Sequence, residues 1–309
     1  PRSTLFPYTT LFRSAVVHYI NQVLENNGKT ILFTPSLEQK PVDQWADLQA
    51  LTQELNAGQV DLLLILGGNP VYAAPPQLNL RGAVQLAKLR VRLGQYDDET
   101  SEICQWQLPE AHAYEHWSDA PAADGTISII QPLISPLYGG KSAHDLLHAF
   151  TETPDKSGYQ TIREFWKAKH TGADFDAWWK RSIHDGFIKD SAPAPVNAVA
   201  KLVPAGASTS GSGIEVSFHA DPYILDGRYS NNGWLQELPR PVTRLTWDNA
   251  VIVSPKTAKE LEVQNEDVVE IAANGSAVQG AVWVLPGQAD GSIALSLGFG
   301  RKRSGRAGN

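Results

Sequence analysis

The 309-residue sequence contains no methionine and a single cysteine. A chain of this length normally holds several methionines, so their absence reads as an internal piece of a longer protein. With Cys104 alone, an internal disulfide is excluded. So is an iron–sulfur cluster or zinc site held by four cysteines of this chain. Long apolar runs are missing too. The strongest, Leu62–Leu66 with Val60 close by, is far too short to span a bilayer. No charged-then-apolar secretory signal is visible, which carries little in a chain without an initiator. No Gly-Lys-Ser/Thr follows Gly67 and Gly68, which excludes a P-loop, and no Gly-x-Gly-x-x-Gly follows a strand. No Gly-x-Ser-x-Gly elbow supports an α/β-hydrolase. Net charge is −7 with no dominating basic patch, so nucleic acid is not an expected partner. The basic stretch GRKRSGRAGN, residues 300–309, can touch an anion but reads as a solvated loop or a cut end.

The stretch TLFPYTTLFRS, Thr4 to Ser14, holds Pro7, the aromatics Phe6, Tyr8 and Phe12, and no clear period. It reads as neither helix nor strand. LFPYTTLFRS back-translates to CTC TTT CCC TAC ACG ACG CTC TTC CGA TCT, which resembles a sequencing-library adapter read in one frame. Residues 1–14 are therefore set aside as an artefact with no domain; a natural arm is the alternative.

From Ala15 onwards the pattern is regular. Val16, Val17, Ile20, Val23 and Leu24 have helical spacing, with Gly28 as a stop. TILFTP reads as a short buried strand. Asp43 caps a helix towards Leu55 that ends at Gly58. VDLLLILGGNP is a near-continuous apolar strand of the kind covered on both faces of a parallel sheet. Leu80–Leu89 reads as helix, LRVRLGQY as strand, Asp97–Cys104 as a short helix and TISIIQP as a further strand. This alternation predicts βαβ units and an α/β domain over 15–190 with a doubly wound, mostly parallel sheet. Ser142–Phe150 and Thr161–Ile183 read as helices, the second rich in packing aromatics (Phe165, Trp166, Trp178, Trp179). Residues 191–213 turn to Ala, Pro, Ser and Gly and read as a linker. From 214 to 309 short strands dominate, with one short helix at Thr257–Leu261, and a small β-barrel is the economical arrangement.

In an open parallel sheet, ligands bind beyond the carboxyl ends of the strands. The segments that follow the strands are Gly67-Gly68-Asn69-Pro70, then Asp97-Asp98-Glu99, then Glu110–Asp119, then LISPLYGGKSAH. Gly67 and Gly68 let backbone approach a ligand, and Asn69 can bond its own backbone before Pro70. The bland alternative is a tight turn closing a buried strand. His112, Glu115 and His116 match His-x-x-Glu-His, an inverted zinc-protease signature, and on a helix both histidines would share one face. Pro109 and the following WSDAP leave little room for such a helix. His144 and His148 are also four apart, on what reads as an ordinary amphipathic helix.

Several stretches together, LLLILGGNPVYAAP, WSDAPAADGTISIIQPLISPLYGGKSAHDLLHAF, NNGWLQELPRPVTRLTWDNAVIVSPKTAKEL and LGFGRKRSGRAGN, resemble the molybdopterin oxidoreductase superfamily. They most resemble the large iron–sulfur, molybdopterin-like subunit of alternative complex III, a quinol-oxidising respiratory complex. The resemblance implies that Gly67, Gly68, Asn69 and Pro70 form a vestigial pterin-pocket loop. It implies that residues 214–309 are a truncated, partial double-psi β-barrel of the molybdopterin dinucleotide-binding kind, whose helix-then-strand entry turns at Glu266-Asp267. It implies no catalytic residue and no metal ligand in this chain, with His112, Glu115 and His116 a decoy. No cofactor is expected within the chain: molybdopterin is possible but not favoured, and iron–sulfur clusters lie elsewhere in the full protein. Haem-containing and integral membrane subunits are the implied partners, at the periplasmic face of the inner membrane. The chain reads as part of an oxidoreductase complex that performs no chemistry alone. The alternatives are an active molybdenum reductase of the polysulfide or thiosulfate type, a zinc hydrolase, and an isolated binding module.

Overall fold

A computed structural model describes residues 7–38, 40–200, 213–273 and 275–308, with side chains from residue 15. In chain order its elements are α1 (Pro7–Val23), α2 (Gln44–Asn56), β1 (Leu62–Leu66), α3 (Pro70–Ala73), α4 (Leu80–Val84), β2 (Leu89–Gly94), β3 (Trp106–Pro109), β4 (Ser118–Pro121), β5 (Ile127–Ile130), α5 (Ala143–His148), α6 (Gly158–Lys169), α7 (Phe175–Asp185), β6 (Glu215–Ala220), α8 (Gly233–Glu237), β7 (Ala250–Val253), α9 (Pro255–Glu260), β8 (Val268–Ala273), β9 (Ser276–Val284) and β10 (Ser292–Leu297). They group into two compact units that do not follow chain order. One is built from Pro1–Val60 and Leu108–Thr209, the other from Asp61–Gln107 and Ser210–Asn309. The sequence reading instead set its boundary along the chain, at 191–213, most of which lies outside the described residues.

In the first unit the helix starts follow local chemistry. Asp43 accepts hydrogen bonds from the amides of Trp45 and Ala46, as expected of a cap on α2. Ser142 and Ser157 open α5 and α6 with complete capping boxes, closed by Asp145 and Gln160. The unit's core is Ile129, Ile162, Phe175, Trp179 and Ile188, with Trp117, Tyr159, Trp166 and Trp178 packed against it. Trp179 Nε1 donates to Tyr159 Oη at 3.2 Å and Trp166 Nε1 to Asp119 Oδ2 at 2.7 Å, so the indole polar edges are satisfied as they are buried.

Four expectations for this unit are corrected. The backbone is helical from Pro7, inside the stretch that reads as structureless; proline at the first helical position is already set to helical φ. TILFTP forms isolated bridges at Ile31 and Phe33 rather than a strand. TISIIQP does not join a parallel sheet. Its strand β5 pairs antiparallel with β4, Ser118 opposite Ile130 through Pro121 opposite Ile127, because Asp124-Gly125 closes a tight hairpin turn. The helix expected over Thr161–Ile183 is two helices, α6 and α7, separated at His170–Asp174 around Gly172.

The second unit contains a three-stranded sheet, order β1-β2-β3, with β1 and β2 parallel: Leu62 lies opposite Leu89 and Leu66 opposite Leu93. The helix expected over Leu80–Leu89 is the single turn and a half of α4, and the one over Asp97–Cys104 is a 3₁₀ turn at Ser101–Ile103. Strand β1 was expected to be covered on both faces, yet Leu62 and Leu66 are 40% and 43% exposed. The other sheet has five strands in the order β6-β10-β7-β9-β8. Its pairings are mixed, β6/β10 and β7/β9 parallel, β7/β10 and β8/β9 antiparallel. Val251, Val253, Ala258, Val282, Ile293 and Leu295 fill its core. Helices α8 and α9 interrupt this region where the sequence suggested one. No helix among the described residues is long and apolar enough to cross a membrane.

Candidate functional site

The carboxyl ends of β1 and β2 bring together three stretches far apart in sequence: Gly67–Pro70, Tyr96–Thr100 and Phe299–Arg303. All lie in the second unit. Gly67 and Gly68 have φ of +65° and +64°, a left-handed pair that only glycine adopts without strain. The Gly67 amide donates to Leu93 O at 2.8 Å and its carbonyl accepts from Arg92 Nη1 at 3.2 Å. Pro70 then starts α3. Asn69 does not bond its own backbone, as the sequence suggested. Its Nδ2 donates to Glu99 Oε2 at 2.7 Å and its Oδ1 accepts from Thr100 Oγ1 at 2.6 Å.

Glu99 is the hub of this arrangement. Besides Asn69 it accepts from Arg301 Nε at 3.0 and 3.1 Å and from the amides of Lys302 at 2.8 Å and Arg303 at 3.0 Å. Arg301 Nη2 completes a bidentate ion pair at 2.9 Å. Burial alone would raise the Glu99 carboxyl. The hydrogen bonds from Arg301, the Arg303 and Lys302 amides and Asn69 outweigh it and hold the group down to about 2. The Arg301 guanidinium lies 4.8 Å from the Tyr72 ring centroid and donates to Gly227 O at 2.7 Å. Tyr72 Oη donates to Phe299 O at 2.8 Å. Burial, only partly offset by Arg301 and reinforced by Glu99 and Asp226, pushes the Tyr72 phenol up to about 12.

A second buried pair braces the same loop. Arg92 Nη2 meets Asp98 Oδ2 at 2.5 Å, and Asp98 Oδ1 accepts from the amides of Thr100 and Ser101. Outside it, Arg303 pairs with Asp97 and Arg81 with Glu102. General acid–base work needs a group that titrates near the working pH. Glu99 and Tyr72 are displaced in opposite directions away from neutrality, so at neutral pH Glu99 stays ionised and Tyr72 stays protonated. Beside it, Tyr96, Asn231, Asn232, Gly233 and Trp234 line an open cleft of about 400 Å³.

The structure gathers Gly67, Gly68, Asn69 and Pro70 into this cluster and leaves the other motif elsewhere. His112–His116 is a turn and not a helix. Glu115 Oε2 accepts from the His112 amide at 2.9 Å and Oε1 from the Leu137 amide at 3.0 Å, while His116 Nδ1 contacts His112 O at 2.9 Å. Those backbone bonds to Leu137 and His112 hold the Glu115 carboxyl below its usual range. The single helix face that the zinc signature needs does not form. His144 and His148 sit on α5, where their ring nitrogens meet Ser118 and Thr161 hydroxyls. No group of metal-ligating side chains assembles among the described residues.

Sequence reasoning missed Glu99, Arg301, Tyr72 and Thr100 as one unit. The signal was present as an acidic run, Asp97-Asp98-Glu99, and a basic run, Arg301–Arg303, of opposite sign. Separated by some 200 positions, the two did not declare themselves as partners, and the basic run was read as solvated.

Comparison with known proteins finds resemblances in sequence and in fold. The chain is 26% identical, over 77% of its length, to the menaquinone reductase molybdopterin-binding-like subunit of Nitratidesulfovibrio vulgaris, and covers 36% of that protein. Among solved structures it shares the fold of acetylene hydratase from Pelobacter acetylenicus, with a TM-score of 0.55 and 14% identity over 84% of this chain and 41% of that one. The chain thus spans less than half the length of either relative. No family model matches it.

Proposed function

We propose that this chain is part of a molybdopterin-oxidoreductase-like subunit that acts as a scaffold in a quinone-linked respiratory complex of the alternative complex III kind. The similarity to a menaquinone reductase subunit supports the respiratory setting. One observation carries the scaffold reading: both polar ends of Asn69 are engaged, by Glu99 and Thr100, inside a closed ionic network. A pterin recognised by this loop needs donors and acceptors that are free to meet it. The Gly67–Pro70 loop has open space beside Gly68, and its polar side chain, Asn69, faces its own protein. With Asn69 held by Glu99 and Thr100, the loop offers no free polar side chain to such a group. In this reading electrons travel through iron–sulfur clusters held elsewhere in the complete protein. Haem-bearing and membrane subunits are its partners, and the complex sits on the periplasmic face of the inner membrane.

Metal analysis of the full-length protein, purified with its native partners, tests this. The expected result is iron in excess and molybdenum far below one atom per chain. Molybdenum near one atom per chain overturns the scaffold reading in favour of an active molybdenum reductase.

A further inference from the structure

Helix α5 is short, six residues from Ala143 to His148, and the side chain it buries is Leu146. Two side-chain hydrogen bonds tie it to neighbouring elements, and a histidine makes each. His144 Nε2 lies 3.3 Å from Ser118 Oγ on β4, and His148 Nε2 lies 2.8 Å from Thr161 Oγ1 on α6. Just before the helix the backbone is pinned: the Lys141 amide donates to Pro109 O and its carbonyl accepts from the Ala111 amide, both at 2.9 Å. A helix of this length has little stability of its own, so contacts such as these hold it in place.

The two histidines stand in unlike surroundings. His144 is half-buried in the first turn, where the unpaired peptide N–H groups of α5 present partial positive charge. The carboxylates near it are committed elsewhere. Asp119 of β4 accepts from Trp166 Nε1 at 2.7 Å, and Asp145 of α5 accepts from the amide and the hydroxyl of Ser142, both at 2.8 Å. The other titratable groups around it, His116 and His148, add positive charge when they are protonated. His148, in the last turn, has Glu164 of α6 beside it, and Glu164 itself pairs with Lys156 at 2.6 Å. A protonated His148 still donates to Thr161, so that tie survives acidification.

We propose that His144 makes α5 a pH-sensitive latch, closed on β4 while the imidazole is neutral and released as it takes up a proton. Burial holds the His144 imidazole below its ordinary value of 6.5, and the nearby Asp119 and Asp145 do not offset it. The folded state thus favours neutral His144. Closure is complete above about pH 6.5 and weakens as pH falls below it. Helix α5 then opens by local unfolding, between the pinned Lys141 and the His148–Thr161 bond. This range lies above the one in which Glu99 loses its stabilisation, which begins below about 4.5.

Hydrogen exchange of the purified full-length protein, followed by mass spectrometry of peptides spanning residues 142–150, tests the latch. An unfolded reference corrects the rates for the intrinsic effect of pH. Between about pH 7.5 and about pH 5.5, protection of this segment in the wild type is expected to fall severalfold. His144→Gln and His144→Asn, which take up no proton there, keep protection level across the range. His148→Gln retains the wild-type fall. Wild-type protection that does not change with pH overturns the proposal. So does a His144 variant that loosens α5 yet keeps the wild-type pH response, and so does a His148→Gln variant that abolishes it.

Discussion

A buried carboxylate is costly unless its lone pairs are met, and Glu99 meets that condition with Arg301, two backbone amides and Asn69. Its folded-state pKa, about 2, lies below the ordinary value of 4.5. The stabilisation is therefore present in full above about pH 4.5 and is lost as pH falls towards 2. The gap corresponds to roughly 3 kcal/mol. Glu99→Gln leaves Arg301 buried without its counter-charge and costs about 3–5 kcal/mol at neutral pH. Urea denaturation at pH 7 and pH 3 checks both points: the variant is destabilised at pH 7 and loses less than the wild type on acidification. Equal acid sensitivity of the two proteins would remove Glu99 from this role.

At the level of elements, turn chemistry decided pairings that apolar pattern left open. The run TISIIQP is compatible with a buried parallel strand. Gly125, at φ +87°, instead folds it back onto β4. A Cβ at that position would fall 2.3 Å from Pro193 Cδ, so Gly125→Ala combines a left-handed backbone with a collision. It is expected to destabilise the protein by about 1–3 kcal/mol. Thermal denaturation of the variant measures this, and an unchanged midpoint would mean that the hairpin does not contribute. Helix α7 shows the same lesson from the apolar side. Its aromatics read correctly as packing residues, and Trp179 is 2% exposed, but the break before Phe175 was hidden inside a continuous helical pattern.

Over the whole molecule, each compact unit is assembled from two segments of chain, and each has its own core. Separate cores favour separate unfolding. Calorimetry is expected to show two transitions, and the one belonging to the second unit, which contains Glu99, should move to lower temperature on acidification and in Glu99→Gln. A single transition that shifts as one in the variant would show instead that the units unfold together.

The sequence by itself determined what depends on neighbours a few positions apart. Asp43 and Ser142 cap helices because their side chains reach amides two or three residues on. Gly67-Gly68-Asn69-Pro70 ends β1 because only glycine takes two left-handed residues readily and proline then starts a helix. The apolar runs of β2, β7 and β10 are strands, and the single cysteine excludes four-cysteine metal centres. What only the tertiary structure decided is pairing across distance. It joined Asp97–Glu99, read as a segment beyond a strand end, and Arg301–Arg303, read as solvated, into one ionic cluster, placed Asn69 against Glu99, and sent Glu115 to clamp a loop. The physical reason is that a charge or an amide seeks whichever partner the fold brings within about 3 Å, and local spacing carries no record of a neighbour 200 residues away.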